Sequence, residues 1–292
     1  MTRWTNRLGD ARPMVRLAFF AGALAVLAAA AALAGSASGI DVDDGAATEA
    51  MAHGGDETGA EPANGLSDTA SGLSLRIEPA ALTAGVKSGL AVTISDALGD
   101  PVTGLRGEHG EPALHLILVR RDLSEYAHVH PRRSGDGFVV DVTLPRAGVW
   151  RAYADFEWEG EKVVLGRDLA VPGDFAPQPL PAPDRVSATG GYRVELGRRA
   201  VEAGREATLT FAITRAGRPL QGLQPYLGAD GHLVAIREDD LTYLHVHPLD
   251  NAGAGRVAFE AEFAEPGRYA LFLQFKHRGS VRTARFTLEV VR

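Results

Sequence analysis

From residue 73 onward, short apolar runs alternate with residues that favour turns. Leu73–Glu78, Leu90–Ser95, Leu114–Val119, Tyr126–His130, Phe138–Thr143, Val149–Phe156 and Val163–Val171 are rich in Val, Ile, Leu and aromatics, and Gly, Pro, Asp and Ser separate them. In one of them Val139, Asp141 and Thr143 alternate with Val140, Val142 and Leu144, the period of a half-buried antiparallel strand. No stretch after residue 35 combines a helical period with capping residues. About seven short strands per ~100 residues, with turns every 8–12, predict an immunoglobulin-like (Ig-like) β-sandwich.

The pattern occurs twice. Ala84-Gly85, Leu90–Ile94, Pro101 and Leu105 are answered by Ala203-Gly204, Leu209–Ile213, Pro219 and Leu223. Tyr126-Ala-His-Val-His-Pro131 is answered by Tyr243-Leu-His-Val-His-Pro248. Gly148, Trp150, Tyr153, Phe156 and Gly160 are answered by Gly267, Tyr269, Phe272, Phe275 and Gly279. The same order over ~100 residues indicates a duplicated domain rather than a solenoid, whose periods are shorter. Trp150 and Tyr269 are expected to be core aromatics. The fold class is therefore all-β, with two tandem Ig-like β-sandwiches at residues 72–171 and 185–292. Residues 172–184 join them. Five prolines between Pro172 and Pro183 favour an extended, semi-rigid spacer, with a reach of about 37 Å at ~3.1 Å per residue.

The front of the chain has another character. Arg3, Arg7, Arg12 and Arg16 precede the uncharged run LAFFAGALAVLAAAAALA at 17–34, and small residues follow. This is the order of an export signal, and the run is also at the lower edge of what spans a bilayer. Residues 1–35 are either a cleaved signal peptide or an uncleaved signal-anchor helix. Both place the remainder outside the cytoplasmic membrane, as a membrane-anchored extracytoplasmic domain or a secreted protein. Residues 36–71 are mostly Gly, Ala, Ser, Asp and Glu without lysine or arginine, and are expected to form a disordered acidic linker. The Met51-x-His53 pair within it points only weakly to metal.

Composition narrows the chemistry. The net charge is −7, and beyond residue 35 there are 26 basic against 36 acidic side chains, so no basic surface for nucleic acid is expected. With no cysteine, disulfides, thiolate zinc sites, iron–sulfur clusters and cysteine nucleophiles are excluded. Three methionines cannot supply a methionine-rich copper(I) site.

Six of the nine histidines fall in the repeat, as H-x12-H-x-H-P in each copy: His115, His128 and His130, then His232, His245 and His247. Residues i and i+2 of a strand share a face, so His128 and His130 project together. If Val119–Ser124 forms a hairpin loop, His115 lies across from them. Facing Cβ atoms are then ~4.5–5.5 Å apart, near enough for three imidazoles to take one ion. Sulfur-free three-histidine sets suit Cu(II) or Zn(II) and leave one position open. The same pattern is met by polar strand residues bonded to loop carbonyls, and duplication copies a stabilising feature as readily as a site. Leu114–Val119 is apolar on both faces, which leaves the face of His115 undetermined. A single six-histidine site between the domains requires the spacer to fold back. His109 and His277 have no partner at a motif spacing and are expected to be exposed loop or strand-end residues. Asp230 is a candidate acceptor beside His232, although Asp-Gly is first a turn signal.

The strings HLILVRRDLSEYAHVHP (115–131), GHLVAIREDDLTYLHVHP (231–248) and GRYALFLQFKHRGSVRTARFTLEV (267–290) resemble a family of exported bacterial proteins with tandem Ig-like domains, often labelled heavy-metal-associated or secreted. More loosely, the chain resembles small periplasmic copper-handling β-sandwiches. The resemblance implies extracytoplasmic placement and copper, and supplies no ligand set. The Cys-x-x-Cys of true heavy-metal-associated domains is absent.

The expected function is thus extracytoplasmic binding of Cu(II) or Zn(II) for delivery, buffering or sensing. The alternative is a non-catalytic cell-surface interaction module with structural histidines, whose partner is a membrane or cell-surface protein. An enzyme is not expected. Pro131-Arg132-Arg133 and Pro248-Leu249-Asp250 do not complete the H-x-H-x-D-H run of a metallohydrolase, and neither a Gly-x-Ser-x-Gly elbow nor a His-Glu-x-x-His motif occurs.

Overall fold

The alternating runs become strands in a computed structural model, which describes residues 64–106, 112–244, 246–250 and 252–292. The predicted leader, most of the acidic linker, Met51, His53, His109 and His245 lie outside the described residues. No helix among the described residues is long and apolar enough to cross a membrane.

The first domain contains β1 (Thr69–Ala70), β2 (Leu73–Glu78), β3 (Lys87–Ser95), β4 (His115–Arg120), β5 (Tyr126–Val129), β6 (Arg132–Ser134), β7 (Gly137–Thr143), β8 (Gly148–Trp158) and β9 (Glu161–Val171). They form two sheets, ordered β1-β2-β3-β7-β6 and β5-β4-β8-β9. The second domain contains β10 (Val186–Thr189), β11 (Tyr192–Leu196), β12 (Ala200–Glu202), β13 (Glu206–Arg215), β14 (Arg218–Pro219), β15 (Leu223–Gln224), β16 (His232–Arg237), β17 (Tyr243–Leu244), β18 (His247–Leu249), β19 (Arg256–Glu262), β20 (Gly267–His277) and β21 (Ser280–Val291). Its sheets run β10-β11-β13-β19-β18 and β12-β21-β20-β16-β17, with β14 beside β13 and β15 beside β20. The fold is all-β, two Ig-like sandwiches in tandem.

Each sandwich closes over its own core. Leu75, Ile77, Leu90, Val92, Leu116, Leu118, Trp150 and Ala152 pack in the first. Leu209, Phe211, Phe259, Leu233, Leu271 and Leu273 pack in the second. The duplication extends to detail. Trp150 donates from its indole to the Arg146 carbonyl at 3.0 Å, and Tyr269 donates from its hydroxyl to the Glu265 carbonyl at 2.9 Å.

A third core joins the domains. Ile117, Val119 and Tyr153 leave the first sandwich on the opposite face from Leu116, Leu118 and Ala152, and meet Val234, Ile236, Ala270 and Phe272 of the second. This accounts for the apolar residues on both faces of β4: one face fills its own sandwich and the other fills the seam. Each fully buried Val, Ile or Phe contributes roughly 1.5–3 kcal/mol. Exposed ion pairs add ~0–1 kcal/mol, so the apolar seam sets how the two domains pack.

The chain on either side of the first domain is drawn into this seam. Leu180 of the proline-rich spacer is part of the third core. The spacer is tied to the first domain by Arg120, which donates to the Ala176 carbonyl at 3.3 Å, and by Asp122, which accepts from the Gln178 backbone at 2.9 Å. It is tied to the second by Arg268, which donates to the Leu180 carbonyl at 2.7 Å. Residues 64–71 are structured, although the composition predicts a disordered linker through residue 71. Gly65 donates to the Val164 carbonyl at 3.0 Å, Tyr243 donates to the Asn64 carbonyl at 2.9 Å, and β1 pairs with β2. Their order comes from these backbone bonds and not from burial of their own small side chains. Gly65 is required where it lies: its φ is +75°, and a Cβ there would collide with the Tyr153 ring.

Period-two alternation makes neighbouring positions separable by mutation. Leu233→Asp places a charge in the second sandwich core and is expected to unfold that domain. Val234→Asp charges the seam instead. It is expected to preserve the far-ultraviolet β signal and to increase the radius of gyration in small-angle scattering as the domains part. Identical behaviour of the two variants would contradict the assignment of the faces.

Candidate metal centre

The apolar seam ends in a cluster of imidazoles. His115 opens β4 on the face shared by Ile117 and Val119. The antiparallel register pairs Leu116 with Val129 and Ile117 with His128, so His115 and the neighbouring His-x-His lie at the same end of the β4–β5 pair. His128 and His130 straddle Val129 on one face, as period two requires. From the other domain, His232 opens β16 on the face shared by Val234 and Ile236.

Ligand nitrogens of His115, His128 and His130 all lie within 4.8 Å of one another. His115 Nδ1 and His128 Nε2 are 3.1 Å apart. The His115 ring centroid is 5.1 Å from those of His128 and His130, which are 4.7 Å from each other. The His232 centroid is 5.7 Å from that of His115 and 4.8 Å from that of His128. Nitrogens at ~2.0–2.1 Å from a tetrahedral ion are roughly 3.3 Å apart, and the rings that carry them have centroids roughly 5.2 Å apart. The His115–His128 nitrogens have the first spacing, and the measured ring centroids lie near the second.

The hydrogen bonds fix one tautomer. Gln274 Oε1 is 2.7 Å from His128 Nδ1, and a carbonyl oxygen only accepts, so His128 donates from Nδ1. Its Nε2 then carries a lone pair towards the other histidines. Burial, followed by the neighbouring His232, His115 and His130, holds the pKa of His128 well below the ordinary imidazole value. Burial, followed by His115, lowers that of His130 to about 4. Both rings are therefore neutral near pH 7, as nitrogen ligands must be. His130 Nε2 is buried without a hydrogen-bond partner among the described residues.

The second copy is arranged differently. Its β17 is only Tyr243–Leu244, after which the chain crosses to the outer sheet. His247 consequently opens β18, exposed and opposite Glu260 of β19, away from the seam. His245 lies outside the described residues, and Asp230 is an exposed residue of the loop before β16. His277, expected to be exposed, is instead buried at the end of β20, where its Nδ1 is 2.6 Å from the Tyr192 hydroxyl. Two residues beside the cluster follow no motif. Gln274 lies opposite His232 across β16 and β20, and Asp155 lies opposite His115 across β4 and β8. Asp155 also accepts from the Tyr243 hydroxyl at 2.8 Å. The available signal is a polar residue within an otherwise apolar strand, in Ala152-Tyr-Ala-Asp-Phe156 and Leu271-Phe-Leu-Gln-Phe275.

One family model, described as Domain of unknown function (DUF8832), matches the chain at residues 68–172 and again at 187–292. The chain belongs to that family. It carries two copies of the DUF8832 domain, one per sandwich. No curated protein sequence matches the chain significantly. Among solved structures, the Escherichia coli adhesin FdeC is 16% identical, with 75% of this chain and 64% of that one covered and a TM-score of 0.26. The Yersinia pseudotuberculosis adhesin InvE is 12% identical over 75% of this chain and 59% of that one, with a TM-score of 0.25. The chain therefore spans less than two thirds of either adhesin structure. The Lin-41 filamin domain is 14% identical over 37% of this chain and 98% of that one, also at 0.25. At such TM-scores these likenesses carry no functional inference.

The depressed imidazole pKa values predict a pH window. Between about pH 6.5 and 4, the unfolded chain takes up protons that folded His130 refuses, so stability declines as pH falls through this range. His128 acts in the same direction. In metal-free buffer, the unfolding midpoint is expected to fall from pH 7 to pH 4.5, and His130→Asn is expected to flatten that slope. An unchanged slope in the variant would show that His130 is protonated in the folded protein.

Proposed function

We propose that this chain is an exported, non-catalytic protein of two Ig-like domains that binds one divalent transition-metal ion, Cu(II) or Zn(II), at His115, His128 and His130, for delivery, buffering or sensing. The observation that carries this reading is the approach of the His115, His128 and His130 nitrogens to within 4.8 Å of one another. Neutral imidazoles without thiolates suit either ion, and the Irving–Williams order favours copper at such sites. Export is supported by the basic-then-apolar leader of residues 1–34. Hydrolysis is not part of the proposal, since Pro131-Arg132-Arg133 replaces the acid that a hydrolytic histidine run carries.

The second reading is a two-domain interaction module that presents its surface to a membrane or cell-surface protein. It is favoured by the hydrogen bonds linking His115 to His128 and His128 to Gln274, which give both rings a structural role without metal.

Titration of the untagged protein with Cu(II) and with Zn(II) separates the readings. The metal reading expects one tight equivalent per chain, abolished in His128→Ala/His130→Ala and retained in His247→Ala. Affinity no tighter than the millimolar range, about −4 kcal/mol, together with unfolding unaffected by chelators, would leave the interaction module.

A further inference from the structure

We infer that the second domain completes the metal site, with His232 as its fourth imidazole and Gln274 as the residue that positions His128. This rests on the metal reading above and alters its chemistry. Three histidines from the first domain would leave an open position for water or a substrate, whereas four protein ligands close the site. A closed site holds its ion, and its contents are exchanged through ligand dissociation rather than used in turnover.

Three observations bring His232 beside the His115, His128 and His130 trio, whose nitrogens lie within 4.8 Å of one another. It begins β16 on the seam face, as His115 begins β4. Its ring is as near to His128, at 4.8 Å between centroids, as the first-domain rings are to one another. Its distance to His115, 5.7 Å, also lies near the spacing around a tetrahedral ion, roughly 5.2 Å. The two strands need not coincide in this way for either sandwich to fold.

Gln274 acts from the same domain. Its side chain is buried at the seam, at the register position opposite His232, and its Oε1 accepts from His128 Nδ1. That bond directs the His128 Nε2 lone pair into the cluster, towards His115 Nδ1. To offer Nδ1 as a ligand, His115 would take the Nε2–H tautomer, its Nδ1 proton passing to solvent as solvent supplies one at Nε2, so that both rings stay neutral and each keeps a lone pair towards the cluster. Acceptors bonded to the non-ligating nitrogen of a histidine typically change metal affinity by 10–100-fold when removed. The first domain thus supplies three ligands, while the second supplies one ligand and the orientation of another.

Cu(II) is the probe that tests this, because electron paramagnetic resonance counts coordinated imidazole nitrogens. In the full-length protein with one equivalent of Cu(II), four nitrogens are expected. His232→Ala is expected to show three and to bind at least tenfold more weakly, and His232→Gln serves as a variant of similar size. Gln274→Leu is expected to weaken binding by 10–100-fold. Gln274→Glu, which keeps the acceptor, is expected to restore it. Metal-free thermal unfolding of each variant separates lost ligation from lost fold. An unchanged nitrogen count and affinity in both His232 variants would overturn the four-ligand site and leave a three-histidine site in the first domain. No tight binding in the wild-type protein would overturn the metal reading and this inference together.

Discussion

The structure depends on the burial of two faces by a single strand. An outer strand of an ordinary sandwich is apolar on one face and polar on the other. Strand β4 cannot present either face to water, because Leu116 and Leu118 fill its own domain while Ile117 and Val119 require a second cover. The equivalent strand β16 has the same need, through Leu233 and Ala235 on one side and Val234 and Ile236 on the other. Each domain supplies what the other lacks. Exposed alone, either seam face would be the kind of contiguous apolar patch that soluble domains avoid. The spacer follows from this constraint, since Leu180 is drawn into the same core.

The packing is reciprocal, as expected when two copies of one surface meet. Tyr126 of the first copy stacks on Phe272 of the second at 4.3 Å, while Tyr243 of the second meets Tyr153 of the first at 5.3 Å. Tyr126 corresponds to Tyr243 in the repeat, and Tyr153 to Phe272. Reciprocity therefore brings the same end of β4 and β16 together and sets His115 beside His232. The copies diverge around that pair. Where the second domain has Gln274 the first has Asp155, and where the first keeps His130 in the cluster the second sends His247 to its outer sheet. One locus is thus assembled from unequal contributions, in place of two equivalent centres.

Much of this was legible in the chain, for identifiable reasons. Period-two alternation and turn residues specify the strands locally, and the repeat specifies the duplication. The H-x12-H-x-H-P spacing brings His115, His128 and His130 to one place because a hairpin connects them. A histidine site shared between the domains was one reading of the repeat, but which second-domain residues reach the cluster depends on how two sheets meet across more than 100 residues of sequence. The apolar character of both faces of Leu114–Val119 was visible, and it concealed the face of His115. The same feature announces the seam, since a strand needing two covers implies a second packing surface. Gln274 and Asp155 belong to no motif, and it is strand register that brings them opposite His232 and His115.

The position of the histidines bears on why they are present. An apolar seam is stabilised most simply by more apolar residues, and ring nitrogens withdrawn from water carry a penalty unless they are bonded. Here four imidazoles occupy the end of a surface otherwise lined by Ile117, Val234 and Phe272, and burial suppresses the protonation of at least two of them. Hydrogen bonds satisfy part of the cluster, but His130 Nε2 finds no such partner among the described residues. Hydrogen bonding alone therefore does not account for the arrangement. A divalent ion would take up the lone pairs and would bind more tightly to neutral rings than to protonated ones. The apolar wall holds the imidazoles together at one end of the seam, so the interaction that joins the domains is also the one that shapes the cluster.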